Sequence, residues 1–256
     1  MDGWASAAAT RRGTRHARLN EPGQDALCLR HAGRAGGVLV AAVADGAGSA
    51  PRGGAGAALS ARTAGRTAVE MVDTLAPAKL TEAAMTDCLH AAREAVVSAA
   101  VALERPPRDL ATTLILVVSD GATTLVGHVG DGAVVVQAGE GWRVLSWPAQ
   151  GLYAGSTYFL TDETPDIRIS RTETPVTAVA AFTDGLERLV LDFAAEAPHS
   201  AFFARMTAPV ARLQRPGRDA ALSLALGRYL DGDSVCSRTD DDKTLLLAVR
   251  LSGAGA

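Results

Sequence analysis

The sequence is poor in aromatic residues and in lysine, and it has no long hydrophobic run. Phe, Trp and Tyr make up 4% of the 256 residues, so Ala, Val and Leu must fill the interior. Only Lys79 and Lys243 are lysines, and the formal net charge is −3. Without a clustered basic face, the chain is not expected to bind nucleic acid. No stretch approaches the ~18 apolar residues of a membrane span, so no membrane segment is expected.

Cysteines and targeting signals are also scarce. Cys28, Cys88 and Cys236 lie far apart and form no CxxC pair, which argues against a zinc site and suits a reducing cytosol. The first residues carry Asp2 before a short apolar stretch and an Arg pair after it, which is the reverse of a signal peptide. We therefore expect a cytoplasmic protein, with residues 1–12 as a flexible lead-in and 13–256 as a single domain.

The order of the predicted elements indicates an α+β fold. Short apolar runs that end in Gly-rich or Asp-Gly turns are typical of strands. Thr81 is a plausible N-cap of the second helical stretch. Because the helices cluster between and after groups of strands, the pattern favours layers built on mainly antiparallel sheets. The predicted strands lie at 38–44, 114–118, 123–129, 133–137, 142–146, 177–182 and 245–251, and the helical stretches at about 55–75, 81–103 and 194–230.

Four aspartates stand at the ends of these strands: Asp45, Asp131, Asp184 and Asp241. Each one alone reads as an ordinary turn residue. Four together are harder to explain in this way, because a buried carboxylate is costly unless it is paired or bound to a metal. Carboxylate oxygens suit the hard cations Mg²⁺ and Mn²⁺, and the glycine at 46 leaves a backbone carbonyl free to approach an ion. A two-metal site of this kind would activate a water for attack on a phosphoryl group.

Six short motifs occur in an order that resembles the protein phosphatase 2C family, in particular a bacterial subclass. They are Gln-Asp-Ala at 24–26, Asp-Gly-Ala-Gly at 45–48, Ala-Thr-Thr at 111–113, Gly-His-Val-Gly-Asp at 127–131, Phe-Thr-Asp-Gly at 182–185 and Asp-Asp-Lys-Thr at 241–244. The resemblance implies a four-layer αββα sandwich of two mainly antiparallel sheets flanked by helices. It also implies hydrolysis of phosphoserine and phosphothreonine on proteins by a water that bridges two Mn²⁺ or Mg²⁺ ions.

The resemblance assigns roles to individual residues. Asp45 resembles the carboxylate that bridges both ions, and Asp25 resembles the acidic residue that holds a metal-bound water. The other implied ligands are Gly46 through its carbonyl, Asp184 and Asp241 for the principal ions, and Asp131 for a third, weaker ion.

The expected phosphate-binding residue departs from the family pattern. His16 follows Gly13 at the spacing where the family has an Arg that grips the substrate phosphate. A His can donate to phosphate but lacks the bidentate guanidinium fork, so Arg15 or Arg18 could compensate. The predicted catalytic set is therefore Asp45, Asp25 and His16. Asp242 also stands where the family usually has Asn.

Two other functions stay open at this stage. A pseudophosphatase would bind a phosphoprotein or a kinase without turnover, and a metabolite phosphatase would use the same metal site on a small substrate. The stretches at 22–26 and 153–161 resemble members that work with protein kinases, so a phosphorylated protein substrate and a cognate Ser/Thr kinase are the expected partners.

Overall fold

A computed structural model describes residues 3–33, 36–75, 77–139, 141–149 and 157–251. The helices are α1 Thr14–Leu19, α2 Gly53–Thr74, α3 Glu82–Ala102, α4 Asp184–Val190, α5 Ser200–Ala211, α6 Ala220–Leu230 and α7 Asp233–Cys236. The strands are β1 Gly3–Arg11, β2 Asp25–Ala32, β3 Val38–Asp45, β4 Leu114–Ser119, β5 Thr124–Val129, β6 Ala133–Ala138, β7 Gly141–Ser146, β8 Arg168–Thr172, β9 Val176–Phe182, β10 Leu191–Asp192, β11 Ala197–Pro198, β12 Gly217–Arg218 and β13 Lys243–Leu251. Among the described residues, no helix is long and apolar enough to cross a bilayer.

Two large sheets form the centre of the molecule. The first has the strand order β12-β1-β13-β9-β6-β7, and the second has the order β2-β3-β4-β5-β8. The strands of the second sheet pair antiparallel throughout, whereas β1 and β12 form a parallel pair in the first. The predicted α+β sandwich of mainly antiparallel sheets is therefore confirmed.

Three apolar layers separate the sheets from the helices and from each other. Alternate residues of β3 face opposite ways: Val40 packs with the side chains of α2 and α3, whereas Leu39 packs between the two sheets. In β13, Leu246 likewise points between the sheets while Leu247 packs against α5 and α6. This period of two residues is the ordinary geometry of a strand covered on both faces.

The expectation of a flexible lead-in over 1–12, with the fold beginning at 13, is wrong for residues 3–11. They form β1, which pairs with β13 over its whole length, from Gly3 opposite Leu251 to Arg11 opposite Lys243. Trp4 is fully buried between the sheets, and Ala7 packs on the helix side. The segment is so rich in alanine that its apolar alternation carries no strand signal. The tertiary packing on both faces makes it a strand, since alanine has little β-propensity of its own.

Most of the other predicted elements are found close to their expected positions. The strand predicted at 38–44 is β3, and the second predicted helix is α3, for which the Thr81 hydroxyl accepts a hydrogen bond from Ala84 N at 3.1 Å as a cap. The expected helical region at 194–230 contains α5 and α6 with a break between them. Strands β2 and β8 have no counterpart among the predictions.

Candidate metal centre

Asp25 and Asp45 come together because β2 and β3 are neighbours. Asp25 begins β2, Asp45 ends β3, and the register places them directly opposite each other. Burial raises the pKa of Asp25 to about 7, with a smaller upward contribution from the charge of Asp242. The pKa of Asp45 is raised well above its ordinary value, first by burial and then by the charges of Asp25 and Asp184. The pair is therefore a place where a second negative charge is costly.

Asp184 and Asp241 reach the same place from the other sheet. Asp184 begins α4 directly after β9, and Asp241 lies just before β13, which pairs with β9. Burial raises the pKa of Asp184 to about 7, helped by the charges of Asp131 and Asp241. Because Asp241 also raises the pKa of Asp45, the two sheets bring four carboxylates within electrostatic reach of one another.

Asp131 lies at the crossing from β5 in one sheet to β6 in the other. Its Oδ2 accepts a hydrogen bond from the Thr157 hydroxyl. Burial raises its pKa, and the Asp241 charge adds to this effect. Glu187 in α4 was not predicted from the sequence, yet burial and the charges of Asp184 and Asp131 raise its pKa to about 7. The acidic cluster thus extends beyond the predicted residues.

Hydroxyl groups fix the two central carboxylates. The Thr183 and Thr244 hydroxyls donate to Asp25 Oδ2 at 2.8 and 2.7 Å, which lowers the pKa of Asp25 relative to burial alone. Asp45 is held through its backbone, since its N–H donates to the Thr113 hydroxyl at 3.0 Å and its carbonyl accepts from the Thr112 hydroxyl at 2.9 Å. These threonines lie within the motifs at 111–113, 182–185 and 241–244, and that membership was the signal that could have found them.

The backbone at Gly46 is packed too closely for any side chain. A Cβ at this position would lie 2.1 Å from the carbonyl carbon of Gly53 at the start of α2. Gly46 also bridges to Thr112, and its N–H donates to the Gln24 carbonyl at 3.1 Å. With its nitrogen turned inward, the Gln24 amide donates to the carbonyls of Gly46 at 2.8 Å and Ala47 at 3.1 Å. Gln24 is therefore a further residue of the site that the sequence did not assign.

The donor set fits a hard divalent cation. Asp25 Oδ1 and Asp184 Oδ1 are buried without a hydrogen-bond partner, as expected for oxygens that would serve a ligand. In the part of the chain that the structure describes, the ion pairs leave out the five predicted aspartates, so no Lys or Arg neutralises them. Oxygen donors without sulfur or nitrogen are those that Mg²⁺ and Mn²⁺ prefer. Within the same ranges, however, no group of three or more His, Cys, Asp or Glu side chains is arranged so that it could hold a metal ion.

His16 lies on α1 rather than in an exposed loop, and it is 8% exposed. Its Nδ1 lies 3.0 Å from Asp242 Oδ1, without a hydrogen-bond angle that counts as a bond. Arg15 is exposed, and Arg18 forms a surface ion pair with Asp240 at 3.0 Å. Of the three candidates for phosphate binding, His16 is therefore the one whose side chain is buried, and it lies beside Asp242, the neighbour of Asp241.

An open cleft of about 620 Å³ reaches the cluster from outside. It runs between the neighbouring ends of β1 and β2, and Asp25, Thr10 and Arg11 are among its lining residues. The segment 153–156 of the predicted kinase-associated stretch lies outside the described residues. Of the five predicted aspartates, Asp25 is the one among the described residues that lines this cleft.

Comparison with known proteins agrees with the geometry of the site. The sequence profile described as "Protein phosphatase 2C" matches residues 12–227. The chain is 35% identical over 253 residues to "Serine/threonine-protein phosphatase 3" of Escherichia coli (strain K12), covering 96% of this chain and 98% of that protein.

Two solved structures share the fold at low sequence identity. The structure described as the S. agalactiae serine/threonine phosphatase superposes with a TM-score of 0.67 at 14% identity, over 97% of this chain and 100% of that one. PppA of Pseudomonas aeruginosa, described as a key regulatory component of T6SS, gives 0.66 at 17% identity, over 97% and 98%.

Proposed function

Because the chain belongs to the protein phosphatase 2C family, we propose that it is a metal-dependent protein phosphatase that hydrolyses phosphoserine and phosphothreonine. The observation that carries the proposal is the convergence of Asp25, Asp45, Asp184 and Asp241 from two sheets. The pKa values of the first three are raised, and none of the four has a cationic partner among the described residues. Such a cluster is costly in a protein that only folds, and it is useful in one that binds cations.

The proposed metal ligands are assigned from where the carboxylates lie. Asp45, Asp184, Asp241 and the carbonyl of Gly46 would hold two Mn²⁺ or Mg²⁺ ions, and Asp131 would hold a third. When bound, these ions would supply Lewis-acid polarisation of the phosphoryl group and activation of water for in-line attack.

The remaining groups would orient and exchange protons. Asp25, fixed by the hydroxyls of Thr183 and Thr244, would accept a hydrogen bond from the attacking water and hold its direction. His16 would contact the phosphoryl oxygens from α1. The Gln24 amide, which faces the Gly46 carbonyl, would fix the direction of that carbonyl toward the ion.

The substrate class rests on the relative and on the shape of the site. The Escherichia coli relative is named as a serine/threonine-protein phosphatase. The cleft of about 620 Å³ is open rather than enclosed, which suits a phosphate carried on a protein surface. A link to a Ser/Thr kinase, implied by the resemblance of 153–161, stays a prediction.

The test is hydrolysis by the purified full chain. We expect cleavage of p-nitrophenyl phosphate and of phosphothreonine peptides with added Mn²⁺ or Mg²⁺, loss of activity on chelation, and loss in Asp45→Asn. Asp73→Asn, at an exposed position of α2, is the matched control and should behave as wild type. Activity that survives chelation, or that is untouched by Asp45→Asn, contradicts the proposal. Faster turnover of metabolite phosphates than of phosphopeptides would instead favour a small substrate.

One observation favours a second candidate, a binding protein without turnover. His16 is buried against Asp242 at the position where the family has an Arg that binds the substrate phosphate. In this chain a single imidazole would have to bind the phosphate in place of that Arg. This candidate predicts Mn²⁺ binding and phosphopeptide binding by calorimetry with no release of inorganic phosphate.

A further inference from the structure

Asp242 is a buried carboxylate next to the proposed metal ligands, and it was predicted only as a departure from the family pattern. Its side chain is 2% exposed. Oδ1 accepts the N–H of Gly13 and Oδ2 accepts the N–H of Gln24, both at 2.5 Å. Gly13 follows β1 and caps α1, whereas Gln24 precedes β2. The Asp242 side chain therefore joins its own segment to two others, which lie 229 and 218 positions earlier in the sequence.

A ring nitrogen also lies close to the same carboxylate. His16 Nδ1 lies 3.0 Å from Asp242 Oδ1, on the first helix after Gly13, although not at a hydrogen-bond angle. Because Gly13 and Gln24 both donate N–H groups, both oxygens of Asp242 act as acceptors. An Asn of the same shape would turn its NH₂ group toward one of these donors and leave that donor unpaired in a buried place, which costs more than the lost bond itself. The His at 16 and the Asp at 242 are thus chemically matched.

The segments joined by Asp242 carry the functional groups of the proposed site. Gln24 is followed by Asp25, and its carbonyl accepts the Gly46 N–H at 3.1 Å. Gly13 packs on the backbone of the last motif so closely that a Cβ there would lie 2.4 Å from the Asp240 carbonyl oxygen. The position of α1 relative to the carboxylates is therefore set by contacts that centre on Asp242.

We propose that Asp242 is a positioning residue that orients the His16 imidazole for phosphate binding, a role that rests on the proposed function. The negative charge of Asp242, 3.0 Å from Nδ1 of His16, favours the tautomer with its proton on Nδ1, which leaves Nε2 to face the phosphoryl oxygens. Asp242 itself touches neither the ions nor the substrate. The His16 and Asp242 pair takes the place of the family's single Arg, with the carboxylate supplying the rigidity that the guanidinium fork would otherwise provide.

The experiment is a double-mutant cycle read with inorganic phosphate. Phosphate is measured as a competitive inhibitor of p-nitrophenyl phosphate hydrolysis by the full chain with Mn²⁺, and its binding to the Mn²⁺-loaded protein is measured by calorimetry. Asp242→Asn and His16→Gln should each weaken phosphate binding about tenfold, the effect of one lost charge-assisted hydrogen bond. In the His16→Gln background, Asp242→Asn should add less than about twofold, because the group it orients is gone.

A matched control separates this role from a loss of structure. Asp192 also accepts two backbone N–H groups, from Ala194 and Ala195 at 3.0 Å each, but on an exposed turn. Asp192→Asn should leave phosphate binding unchanged. Independent, multiplying effects of the two substitutions, or a loss of Mn²⁺ affinity in Asp242→Asn as large as the loss of phosphate affinity, would overturn the proposal.

The wild-type protein provides a readout that does not depend on any variant folding. Nitrogen-15 NMR of the imidazole should find the proton of neutral His16 on Nδ1, and a ring protonated on Nε2 alone would refute the proposed orientation. Failure of the proposed function is distinguishable, because it appears as wild-type protein that does not hydrolyse any phosphate ester. The calorimetric cycle and the NMR assignment still report on Asp242 in that case.

Discussion

Asp25 and Asp45 face each other across β2 and β3, so that two carboxylates occupy one cross-strand pair. Like charges directly opposite one another destabilise a sheet, and the charge of Asp25 helps raise the pKa of Asp45. The two charges destabilise the metal-free fold but serve the proposed function. The metal-free fold would gain from removing either charge, whereas the proposed function needs Asp45 to hold the ions and Asp25 to orient the attacking water.

The first prediction follows from that conflict. Asp45→Asn should unfold at a higher temperature than wild type when metal is absent, by about 2–4 °C for each kcal/mol gained, because a strained charge is removed without a change of shape. With saturating Mn²⁺ the order should reverse, since wild type gains binding energy that the variant lacks. Thermal unfolding followed by circular dichroism, with and without Mn²⁺, measures both effects. A metal-free variant less stable than wild type contradicts the idea that the cluster is strained.

The second prediction concerns the hydroxyls that hold Asp25. Thr244→Val keeps the side-chain shape but removes the donor that lies 2.7 Å from Asp25 Oδ2. Because that bond favours the charged carboxylate, its loss raises the pKa of Asp25, and the acid limb of the kcat against pH profile should move to higher pH. Thr177→Val is the control, since its hydroxyl is exposed and contacts only the Gln137 carbonyl at 3.4 Å. A shift to lower pH in Thr244→Val would contradict the assigned role of the hydroxyl.

The third prediction uses a pair of glycines two positions apart. Gly46→Ala would place a Cβ 2.1 Å from the backbone of Gly53, whereas a Cβ at Gly48 meets nothing within 4 Å. Gly46→Ala should therefore cost about 1–3 kcal/mol of unfolding free energy and lower the affinity for Mn²⁺, because the carbonyl must move. Urea unfolding and Mn²⁺ titration measure the two losses. Gly48→Ala should show neither loss, and equal behaviour of the two variants would show that the close packing is unimportant.

The fourth prediction concerns pH and a histidine away from the metal centre. His128 is fully buried. Its Nδ1 lies 2.8 Å from the Ser146 hydroxyl and 3.2 Å from an Arg168 nitrogen. Burial, and then the Arg168 charge, lower its pKa well below the ordinary value. Below pH ~6.5 the unfolded chain therefore binds a proton at His128 that the folded chain does not bind. The contribution of His128 to the free energy of unfolding is fully present above pH ~6.5 and decreases as the pH falls.

Urea unfolding between pH 5 and 8 measures this slope, which can reach ~1.4 kcal/mol per pH unit for one proton. His128→Asn keeps an acceptor for Ser146 and Arg168 but cannot titrate, so its slope below pH 6.5 should be smaller than that of wild type. His90→Asn, at an exposed position of α3, should keep the wild-type slope. Asp25 and Asp184, whose pKa values are raised to about 7, bind protons in the folded state over the same window and oppose this slope. The test is therefore the difference between wild type and His128→Asn, and a difference in unfolding free energy that does not change as the pH falls below 6.5 would contradict the prediction.

Strands with mixed β-branched and aliphatic residues were predictable, and strands made of small residues were not. The run that becomes β3 is apolar throughout and ends in an Asp-Gly turn, so its period and its boundary are visible in the chain itself. Strand β1 is largely alanine, and helix, strand and coil are all compatible with such a segment. Its pairing with β13 and its burial on both faces are long-range effects that local sequence does not contain.

The sequence by itself determined which residues are candidates for the chemistry. Asp45, Asp131, Asp184 and Asp241 are recognisable because four aspartates stand at the ends of apolar strands, and because their motifs occur in a family order. Tertiary structure alone decided how these charges meet and what surrounds them. The register of β2 and β3 brings Asp25 opposite Asp45. The hydroxyls of Thr183 and Thr244 contact Asp25 from the other sheet. Asp242 lies next to His16.

The physical reason is the range of the interactions involved. Strand periodicity and turn chemistry act over a few residues, so a single segment records them. The pairing of carboxylates, the burial that raises their pKa values and the match between His16 and Asp242 join groups up to 226 positions apart in the chain. Such contacts exist only once the two sheets have stacked.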